Sequence, residues 1–173
     1  MAVAFLGLGS NCFARKKNLL RVIGELNRYN IQVKKCSSIY ETPFQGVPEI
    51  LGIPLGIKLP PVANCVVEVE TDYSPYDLLK RILRIEKRIG RIRIHFVKNF
   101  PRKVDIDILF YDNMIINHKM LKIPHPQVHK RLFVLVPLAE IAPNFYHPVL
   151  NKSIRELLTD LKKNGEKNWP RII

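Results

Sequence analysis

Hydrophobic residues along this chain follow two spacings, one typical of β-strands and the other typical of α-helices. Short apolar or alternating runs predict four strands, over residues 2–8, 31–40, 64–71 and 103–111. Apolar residues that recur every three or four positions predict two helices, over residues 16–28 and 75–89. Ser74 can cap the second helix, Pro75 suits its first position, and Gly90 provides a stop.

Between these elements the sequence predicts a long loop and a tight turn. Residues 41–61 contain five prolines, and a loop of this length in a compact domain usually serves function. Asp112 and Asn113 predict a turn into a further extended segment over residues 114–116. The resulting order, β-α-β-loop-β-α-β, is that of a ferredoxin-like α+β sandwich. We therefore expect an antiparallel sheet with helices on both faces.

Two further helices are predicted near the end of the chain. Residues 127–141 show helical spacing, with a break expected near Pro137. Ser153 and Glu156 form a capping box, which starts a last helix that fades near Gly165. The sequence shows no internal repeat and no linker, so we expect a single domain over residues 1–173.

The chain is strongly basic. It holds 28 lysines and arginines against 15 aspartates and glutamates, a net charge of +13, and 47% of its residues are hydrophobic. These values exclude a disordered chain and indicate a globular protein with an anionic partner. Its three cysteines form no Cys-x-x-Cys pair, so neither a disulfide framework nor a zinc site is supported, and a reducing cytoplasm is expected. The apolar stretches are too short or too interrupted by prolines to span a membrane.

Two aspartates lie within the most regular of the predicted strands. Aspartate is depleted in strands, yet Asp105 and Asp107 occupy one face of this one, about 6.6 Å apart along the backbone. The opposite face receives the apolar residues Val104, Ile106, Ile108 and Phe110. A pair of carboxylates can hold a hard cation, because Mg²⁺ commonly binds one or two of them together with substrate phosphates. A solvated outer face is the alternative explanation for the pair taken alone.

One segment carries most of the positive charge. Residues 80–103 contain ten basic residues and one acid, which is +9 of the net +13. Several of these basic residues lie on the solvent-exposed face of the predicted helix. Arg91, Arg93 and Arg102, in contrast, lie in the non-helical segment that leads to the two aspartates. Guanidiniums beside paired carboxylates indicate a polyphosphate site with Mg²⁺ between carboxylates and phosphates. Nucleic-acid phosphates explain the arginines equally well but leave the aspartates unexplained.

Common nucleotide-binding motifs are absent from the sequence. It contains no Gly-x-Gly-x-x-Gly fingerprint and no Gly-Lys-Ser/Thr loop, so side chains must supply most of the contacts to any ATP. His125 stands between two prolines that restrict its backbone, and it is close in sequence to Arg131. These two residues are therefore candidates for contacts to phosphate.

Seven blocks of the sequence, in this order, carry a family resemblance. They are residues 7–11 (GLGSN), 38–43 (SIYETP), 63–67 (ANCVV), 85–86 with 90–93 (IE and GRIR), 101–109 (PRKVDIDIL), 123–126 (IPHP) and 131–143. Together they resemble the 6-hydroxymethyl-7,8-dihydropterin pyrophosphokinase family of folate biosynthesis over nearly the whole chain. The resemblance implies an enzyme that transfers the β,γ-pyrophosphoryl group of ATP to the hydroxymethyl oxygen of the pterin and releases AMP.

The resemblance also implies roles for individual residues. Two Mg²⁺ ions would bind Asp105 and Asp107, and catalysis would depend on these aspartates together with Arg91 and Arg102. The implied contacts to ATP come from Glu86, Arg91, Arg93, Arg102, His125 and Arg131. The implied pterin pocket consists of Thr42, Pro43, Gln45, Asn64 and Phe133. ATP and the pterin are then the partners, and we expect a cytoplasmic monomer that binds neither nucleic acid nor membranes.

The sequence departs from the family pattern at a few positions. Val62 stands where the family usually has an aromatic residue, and Asn99 and Phe100 stand where tryptophan and glycine are frequent. The competing hypothesis is an RNA-binding ferredoxin-like domain that uses the basic stripe. Such domains present aromatic residues on the sheet, where this strand presents aspartates instead. A scaffolding role explains least of the pattern.

Overall fold

A computed structural model shows α-helices packed on both faces of a β-sheet. It describes residues 1–44, 49–50, 53–54, 56, 59–90, 97–98, 102–165 and 169–173. The helices within this part are α1 (Arg15–Arg28), α2 (Pro75–Ile89), α3 (Leu132–Ile141) and α4 (Ile154–Lys163), with a 3₁₀ turn at Val128–Lys130. The strands are β1 (Ala2–Ser10), β2 (Gln32–Cys36), β3 (Tyr40–Thr42), β4 (Glu49–Ile50), β5 (Ile53–Pro54), β6 (Val62–Thr71), β7 (Val97–Lys98), β8 (Asp105–Tyr111), β9 (Ile116–Asn117), β10 (Lys122–Ile123), β11 (Tyr146–His147), β12 (Lys152–Ser153) and β13 (Arg171–Ile172).

The main sheet is antiparallel and is centred on β6 and β1. Its strand order is β13-β3-β6-β1-β8, and β2 pairs with the second half of β6, next to β3. The prediction of one strand over residues 31–40 is therefore wrong, because Ser37 interrupts the ladder. Its N–H donates to Val66 O, but its hydroxyl, instead of its carbonyl, accepts from the Val66 N–H, each at 3.0 Å.

The two faces of the sheet carry separate hydrophobic cores. Between the sheet and α1 and α2 lies a core that includes Leu6, Leu19, Val67, Ile82 and Ile106. Between the sheet and α3 and α4 lies a second core that includes Phe5, Val66, Phe110, Leu135 and Leu157. Because both faces are covered, the predicted α+β sandwich is confirmed.

The helix boundaries that the sequence predicts from capping residues are confirmed. The Ser74 hydroxyl accepts from the Asp77 N–H at the start of α2, and Gly90 ends that helix with a φ of 100°. Ser153 and Glu156 form both hydrogen bonds of the capping box at the start of α4. No helix among the described residues is long and apolar enough to cross a bilayer.

A bulge in β8 changes which face its last residues occupy. Phe5 of β1 pairs with Phe110, whereas Leu6 pairs with Ile108, so Leu109 is an extra residue on β8. Beyond this point strict alternation ends, and both Leu109 and Phe110 enter the second core. The prediction that Phe110 shares a face with Ile108 is therefore wrong.

Two other predictions of local structure are also wrong. Pro137 lies inside α3 without breaking it, because the burial of Leu135 and Leu138 outweighs the one helical hydrogen bond that proline cannot donate. Within the described part of the predicted loop over residues 41–61, β4 pairs with β5 and also with β7. The predicted turn at Asp112 is confirmed, since the Met114 N–H donates to the Tyr111 carbonyl at 3.0 Å, and it leads to β9, which pairs with β10.

His147 closes the turn between β11 and β12. Its side chain is buried, and its Nδ1 accepts from the backbone N–H groups of Val149 and Leu150, each at 3.2 Å. The ring also packs edge-on against Phe110, with 5.4 Å between the ring centres. Burial, assisted by the nearby His129, lowers the pKa of His147. The neutral ring is thus the form that the fold stabilises.

We expect the free energy of unfolding to fall as the pH is lowered from 7.5 to 5. Because the pKa of His147 is lower in the folded protein than in the unfolded chain, its contribution is present above about pH 6.5 and is lost as the pH falls through the folded pKa. The slope is at most about 1.4 kcal/mol per pH unit for one histidine. Urea unfolding of His147→Asn should show a flatter pH dependence, whereas the exposed-site control His118→Asn should keep the original one. Equal pH dependence in both variants would contradict this assignment.

Candidate active site

A cavity of about 260 Å³ opens at one end of the main sheet, on the face that α3 and α4 cover. It lies over the end of β1 and over the beginnings of β6 and β8, and five segments of the chain converge on it. Its lining includes Gly7, Gly9, Ser10 and Asn11, then Thr42, Pro43 and Phe44, then Val62, Asn64 and Val66, then Arg102, Asp105, Asp107 and Leu109, and finally Arg131, Phe133 and Val134.

Glycines of β1 form the floor of the cavity. Gly9 pairs with Asn64 on one side and with Asp105 on the other, so the three residues form a row across the sheet. A Cβ atom on Gly9 would lie 3.5 Å from Asn64 Oδ1 and 4.0 Å from Asp105 Cβ. A Cβ atom on Gly7 would lie 3.3 Å from Leu109 Cδ2. The missing side chain at Gly9 thus leaves a gap between the Asn64 amide and the Asp105 carboxylate, whereas Gly7 makes room for Leu109.

Asp105 and Asp107 line the cavity from alternate positions on β8, as the strand pattern predicts. The backbone between them is held from behind, because the Ile106 N–H donates to the Glu86 carboxylate at 2.9 Å. Glu86 belongs to α2 and is only 1% exposed. It therefore attaches α2 to the strand segment that carries both aspartates.

Arg102 brings a guanidinium group to the first of the two carboxylates. Its Nη1 lies 2.8 Å from Asp105 Oδ2. Its backbone N–H donates to Asn11 Oδ1 at 2.6 Å, and the Asn11 N–H donates to the Arg102 carbonyl at 3.2 Å. Asn11 itself is buried and follows directly after β1. The segment before β8 is thus joined to the end of β1, with the Arg102 side chain beside Asp105.

A second cation and an aromatic ring line the cavity where α3 begins. The Arg131 Cζ atom lies 5.5 Å from the centre of the Phe133 ring, within the range of a cation–π interaction. The Arg131 carbonyl accepts from the N–H groups of Val134 and Leu135 in the first turn of α3. The helix start therefore holds both side chains in place.

His125 lies near this cation but does not line the cavity. Its backbone N–H donates to the Leu109 carbonyl at 2.9 Å, and its Nδ1 accepts from the Gln127 N–H at 3.1 Å. Burial and the positive charge of Arg131 lower the pKa of His125, while the charge of Asp105 acts in the opposite direction. The neutral ring therefore carries its proton on Nε2, which makes that atom a hydrogen-bond donor.

An amide, a hydroxyl and an aromatic ring line the cavity around the start of β6. Asn64 is buried, and its Nδ2 donates to Thr42 Oγ1 at 3.0 Å and to the Val62 carbonyl at 3.3 Å. Its Oδ1 faces the space above Gly9. Phe44 lines the same cavity directly after Pro43. Polar atoms and a flat apolar surface are therefore available to one ligand.

The structure brings together eight of the residues that the sequence analysis selected. Those that line the cavity are Thr42, Pro43, Asn64, Arg102, Asp105, Asp107, Arg131 and Phe133. Glu86 and His125 support the wall without lining it. The predicted residues Gln45, Arg91 and Arg93 lie outside the described residues, as do Asn99 and Phe100.

Two residues of the site were missed as individual candidates. Asn11 stands in the matched block over residues 7–11, and a turn-forming Asn directly after a strand was its available signal. Phe44 lies in the predicted loop, and nothing in its spacing shows that it turns toward the strands. Only the tertiary arrangement identifies it.

Comparison with known proteins gives close relatives. The sequence profile described as 7,8-dihydro-6-hydroxymethylpterin-pyrophosphokinase (HPPK) matches residues 5–143. The 2-amino-4-hydroxy-6-hydroxymethyldihydropteridine pyrophosphokinase of Aquifex aeolicus is 39% identical over 156 residues, which are 90% of this chain and 90% of the relative. The Synechocystis protein of the same name is 39% identical over 168 residues, 96% of this chain and 79% of the relative. The folic acid synthesis protein FOL1 of Dictyostelium discoideum is 36% identical, and the chain covers only 23% of its length.

Solved structures share the fold. A crystal structure of an HPPK-DHPS protein in complex with substrates superposes with a TM-score of 0.74 at 16% identity, covering 94% of this chain and 44% of that one. The wild-type HPPK-DHPS of Plasmodium falciparum with pteroate gives a TM-score of 0.75 at 17% identity, covering 99% of this chain and 48% of that one. The ferredoxin-like arrangement expected from the element order is thus confirmed.

We expect Glu86→Ala to loosen the strand segment between the two aspartates. The substitution leaves the buried Ile106 N–H without its carboxylate acceptor, which costs about 1–3 kcal/mol. Glu86→Gln keeps an oxygen that can accept this hydrogen bond and should lose less. Hydrogen exchange of the Ile106 amide, measured under native conditions, should be faster in the alanine variant than in the glutamine variant. An unchanged exchange rate in Glu86→Ala would show that Glu86 does not hold this strand.

Proposed function

Because the chain belongs to the 7,8-dihydro-6-hydroxymethylpterin-pyrophosphokinase family, we propose that it transfers pyrophosphate from ATP to 6-hydroxymethyl-7,8-dihydropterin, with AMP as the second product and Mg²⁺ as the metal. The enzyme is a diphosphotransferase of folate biosynthesis. One observation carries the proposal. Two carboxylates and two guanidiniums line one part of a cavity whose other part offers an amide, a hydroxyl and aromatic rings.

The carboxylate pair fits a magnesium site that is completed by substrate. Among the described residues, no group of three or more His, Cys, Asp or Glu side chains forms a metal site of its own. Asp105 and Asp107 provide the hard oxygen ligands that Mg²⁺ prefers, and this ion commonly takes its remaining ligands from phosphates and water. In our proposal the two aspartates hold two Mg²⁺ ions, which when bound neutralise charge on the phosphates and polarise oxygen atoms.

The basic side chains of the site fit a polyphosphate. Arg102 and Arg131 lie on two different segments that line the cavity, so they can contact an extended phosphate chain at two points. The Nε2–H of His125, beside Arg131, supplies a further donor. Arg91, Arg93 and Glu86 complete the proposed ATP site by family resemblance, with Arg91 and Arg102 as its catalytic arginines.

The remaining part of the cavity fits the pterin. Thr42 and Asn64 present a hydroxyl and an amide, which match the mixed donor and acceptor edge of a pterin. Phe133 can stack on the ring, and Phe44 provides a second aromatic wall in a pocket where Val62 offers only an aliphatic one. Pro43 and Gln45 belong to the proposed pocket as well.

The proposed reaction depends on position and charge. The pterin hydroxymethyl oxygen attacks the β-phosphorus of ATP, the bond from that phosphorus to the α,β-bridging oxygen breaks, and AMP leaves. Attack in line with the leaving oxygen requires both substrates to be held at once, which separate phosphate and pterin contacts provide. No covalent intermediate on the protein is needed.

The fold argues against the RNA-binding hypothesis, and the proposal extends to the oligomeric state and the cellular compartment of the enzyme. Helices α3 and α4 cover part of the sheet face that an RNA-binding ferredoxin-like domain would use for stacking. Our proposal takes residues 1–173 as a single catalytic domain that acts as a monomer. Cys12, Cys36 and Cys65 are free thiols, which supports a cytoplasmic setting.

We expect an Asp105→Ala, Asp107→Ala double variant to lose pterin-dependent AMP formation by about 10²–10³-fold or more, because it removes the proposed metal ligands. The assay supplies Mg·ATP and the hydroxymethyl pterin and measures AMP. Asp160→Ala is the matched control, since its carboxylate pairs with Lys152 on the surface of α4. A chelator should abolish the activity of the parent protein, and added Mg²⁺ should restore it. Full activity of the double variant, or AMP formation without pterin, would overturn the proposal.

We expect Phe133→Leu and Phe44→Leu each to raise the KM for the pterin by about 2- to 10-fold, which corresponds to the loss of one stacking contact. The KM for ATP should change much less. Phe13→Leu is the control, because Phe13 is 99% exposed and does not line the cavity. If the pterin KM of Phe133→Leu and of Phe44→Leu equals that of Phe13→Leu, neither ring contacts the substrate.

A further inference from the structure

Two cysteines lie next to each other on neighbouring strands, with their side chains on the sheet face that α1 and α2 cover. Cys36 is the last residue of β2 and pairs with Val67 of β6. Cys65 stands two residues before Val67, so its side chain leaves β6 on the same face. The pairing of Lys35 with Glu68, whose side chains form an ion pair at 2.8 Å, marks the other face. Cys36 and Cys65 are therefore diagonal neighbours across the two strands.

The two thiols differ in exposure. Cys36 is exposed at the end of its strand, and its thiol donates to the Ser37 carbonyl at 3.3 Å. Cys65 is only 1% exposed and is part of the core beneath α1 and α2. A hydrogen bond from the Cys65 thiol lowers the pKa of Cys36 to about 7, against the opposing effects of burial and of Glu140. The same hydrogen bond, together with burial, raises the pKa of Cys65, which therefore remains the protonated partner. An accessible thiol with a thiolate character near neutral pH thus lies beside a buried thiol that can capture its oxidation product.

We propose that Cys36 is an oxidation site for peroxides and that Cys65 resolves it as an intramolecular disulfide. In the first step the Cys36 thiolate attacks one oxygen of hydrogen peroxide, the O–O bond breaks, and the products are a Cys36 sulfenic acid and hydroxide. In the second step the Cys65 sulfur attacks the Cys36 sulfur and water leaves. One peroxide is reduced for two thiols oxidised, and a dithiol reductant reverses the change.

The two cysteines lie next to residues of the proposed pterin pocket. The expected effect of their cross-link on pterin binding therefore rests on the proposed function. Cys65 stands between Asn64 and Val66, and all three residues belong to the cavity lining, although the Cys65 side chain packs in the core on the other face of β6. Diagonal neighbours have Cα atoms about 7–8 Å apart, whereas a disulfide usually needs less than about 6.8 Å. Cross-linking must therefore draw the end of β2 toward β6 and shift Asn64. We expect the disulfide to raise the KM for the pterin.

The test is peptide mapping after oxidation of the full chain with hydrogen peroxide. Remaining thiols are blocked with iodoacetamide, and trypsin then separates residues 36–58 from residues 59–80, each with one cysteine. We expect these two peptides to be joined, with the loss of two hydrogen atoms, and to separate after dithiothreitol. Cys12→Ser is the matched control and should give the same cross-link, because Cys12 lies in the segment after β1.

Two variants separate the steps. Cys65→Ser should stop at a sulfenic acid on Cys36, which dimedone traps, and Cys36→Ser should abolish the cross-link without disturbing the core. Alkylation of Cys36 in the parent protein at pH 7 should be about tenfold faster than that of Cys12, whose pKa burial raises. A cross-link that involves Cys12, dimers joined between chains, or Cys36 no more reactive than Cys12 would overturn the proposal. These readouts do not depend on catalysis, so a failure of the proposed function would leave them unchanged.

Discussion

The antiparallel register of β8, β1 and β6 is the constraint on which the site depends. It places Asp105, Gly9 and Asn64 in one row, with the glycine as the gap between the two polar side chains. A slip of one residue would move each polar side chain to the opposite face, into the core beneath α1 and α2. The burial of Leu8 and Ile106 on that face opposes such a slip. Hydrophobic burial on one face therefore sets the geometry of the polar groups on the other.

The cavity exists because the second core covers only part of its face. At one end of the sheet Phe5 and Phe110 fill the space beneath α3 and α4, and the bulge at Leu109 is what turns Phe110 into this core. Toward the other end the sheet presents glycines, an amide and carboxylates, and the packing gives way to open space. These polar positions contribute little to the hydrophobic core, a common cost of building a binding site into a small domain.

The sequence predicted best those features that depend on local pattern. The side of the sheet on which Asp105 lies follows from the alternation of apolar and polar residues along β8. The caps of α2 and α4 follow from pairs of residues three positions apart. It failed where a distant contact decides the outcome. The split between β2 and β3 arises when the Ser37 hydroxyl bonds to Val66, and the attachment of Glu86 to Ile106 joins residues from different elements. Phe44 entered the site only through the course of its loop, which no periodic pattern describes.

The charges of the site explain why the chain is so basic. Within the described lining, Arg102 and Arg131 balance Asp105 and Asp107, so these four groups alone offer no excess of positive charge to a polyphosphate. Arg102 moreover neutralises Asp105 directly, at 2.8 Å. In the proposed function further cations are therefore required, from bound Mg²⁺ and from the segment over residues 80–103, which carries +9 and enters the site at Arg102. Once Asp105 has another positive partner, the Arg102 guanidinium becomes available to a phosphate. The net charge of +13 is thus better explained as a surplus for the proposed ATP site than as a general anion-binding surface.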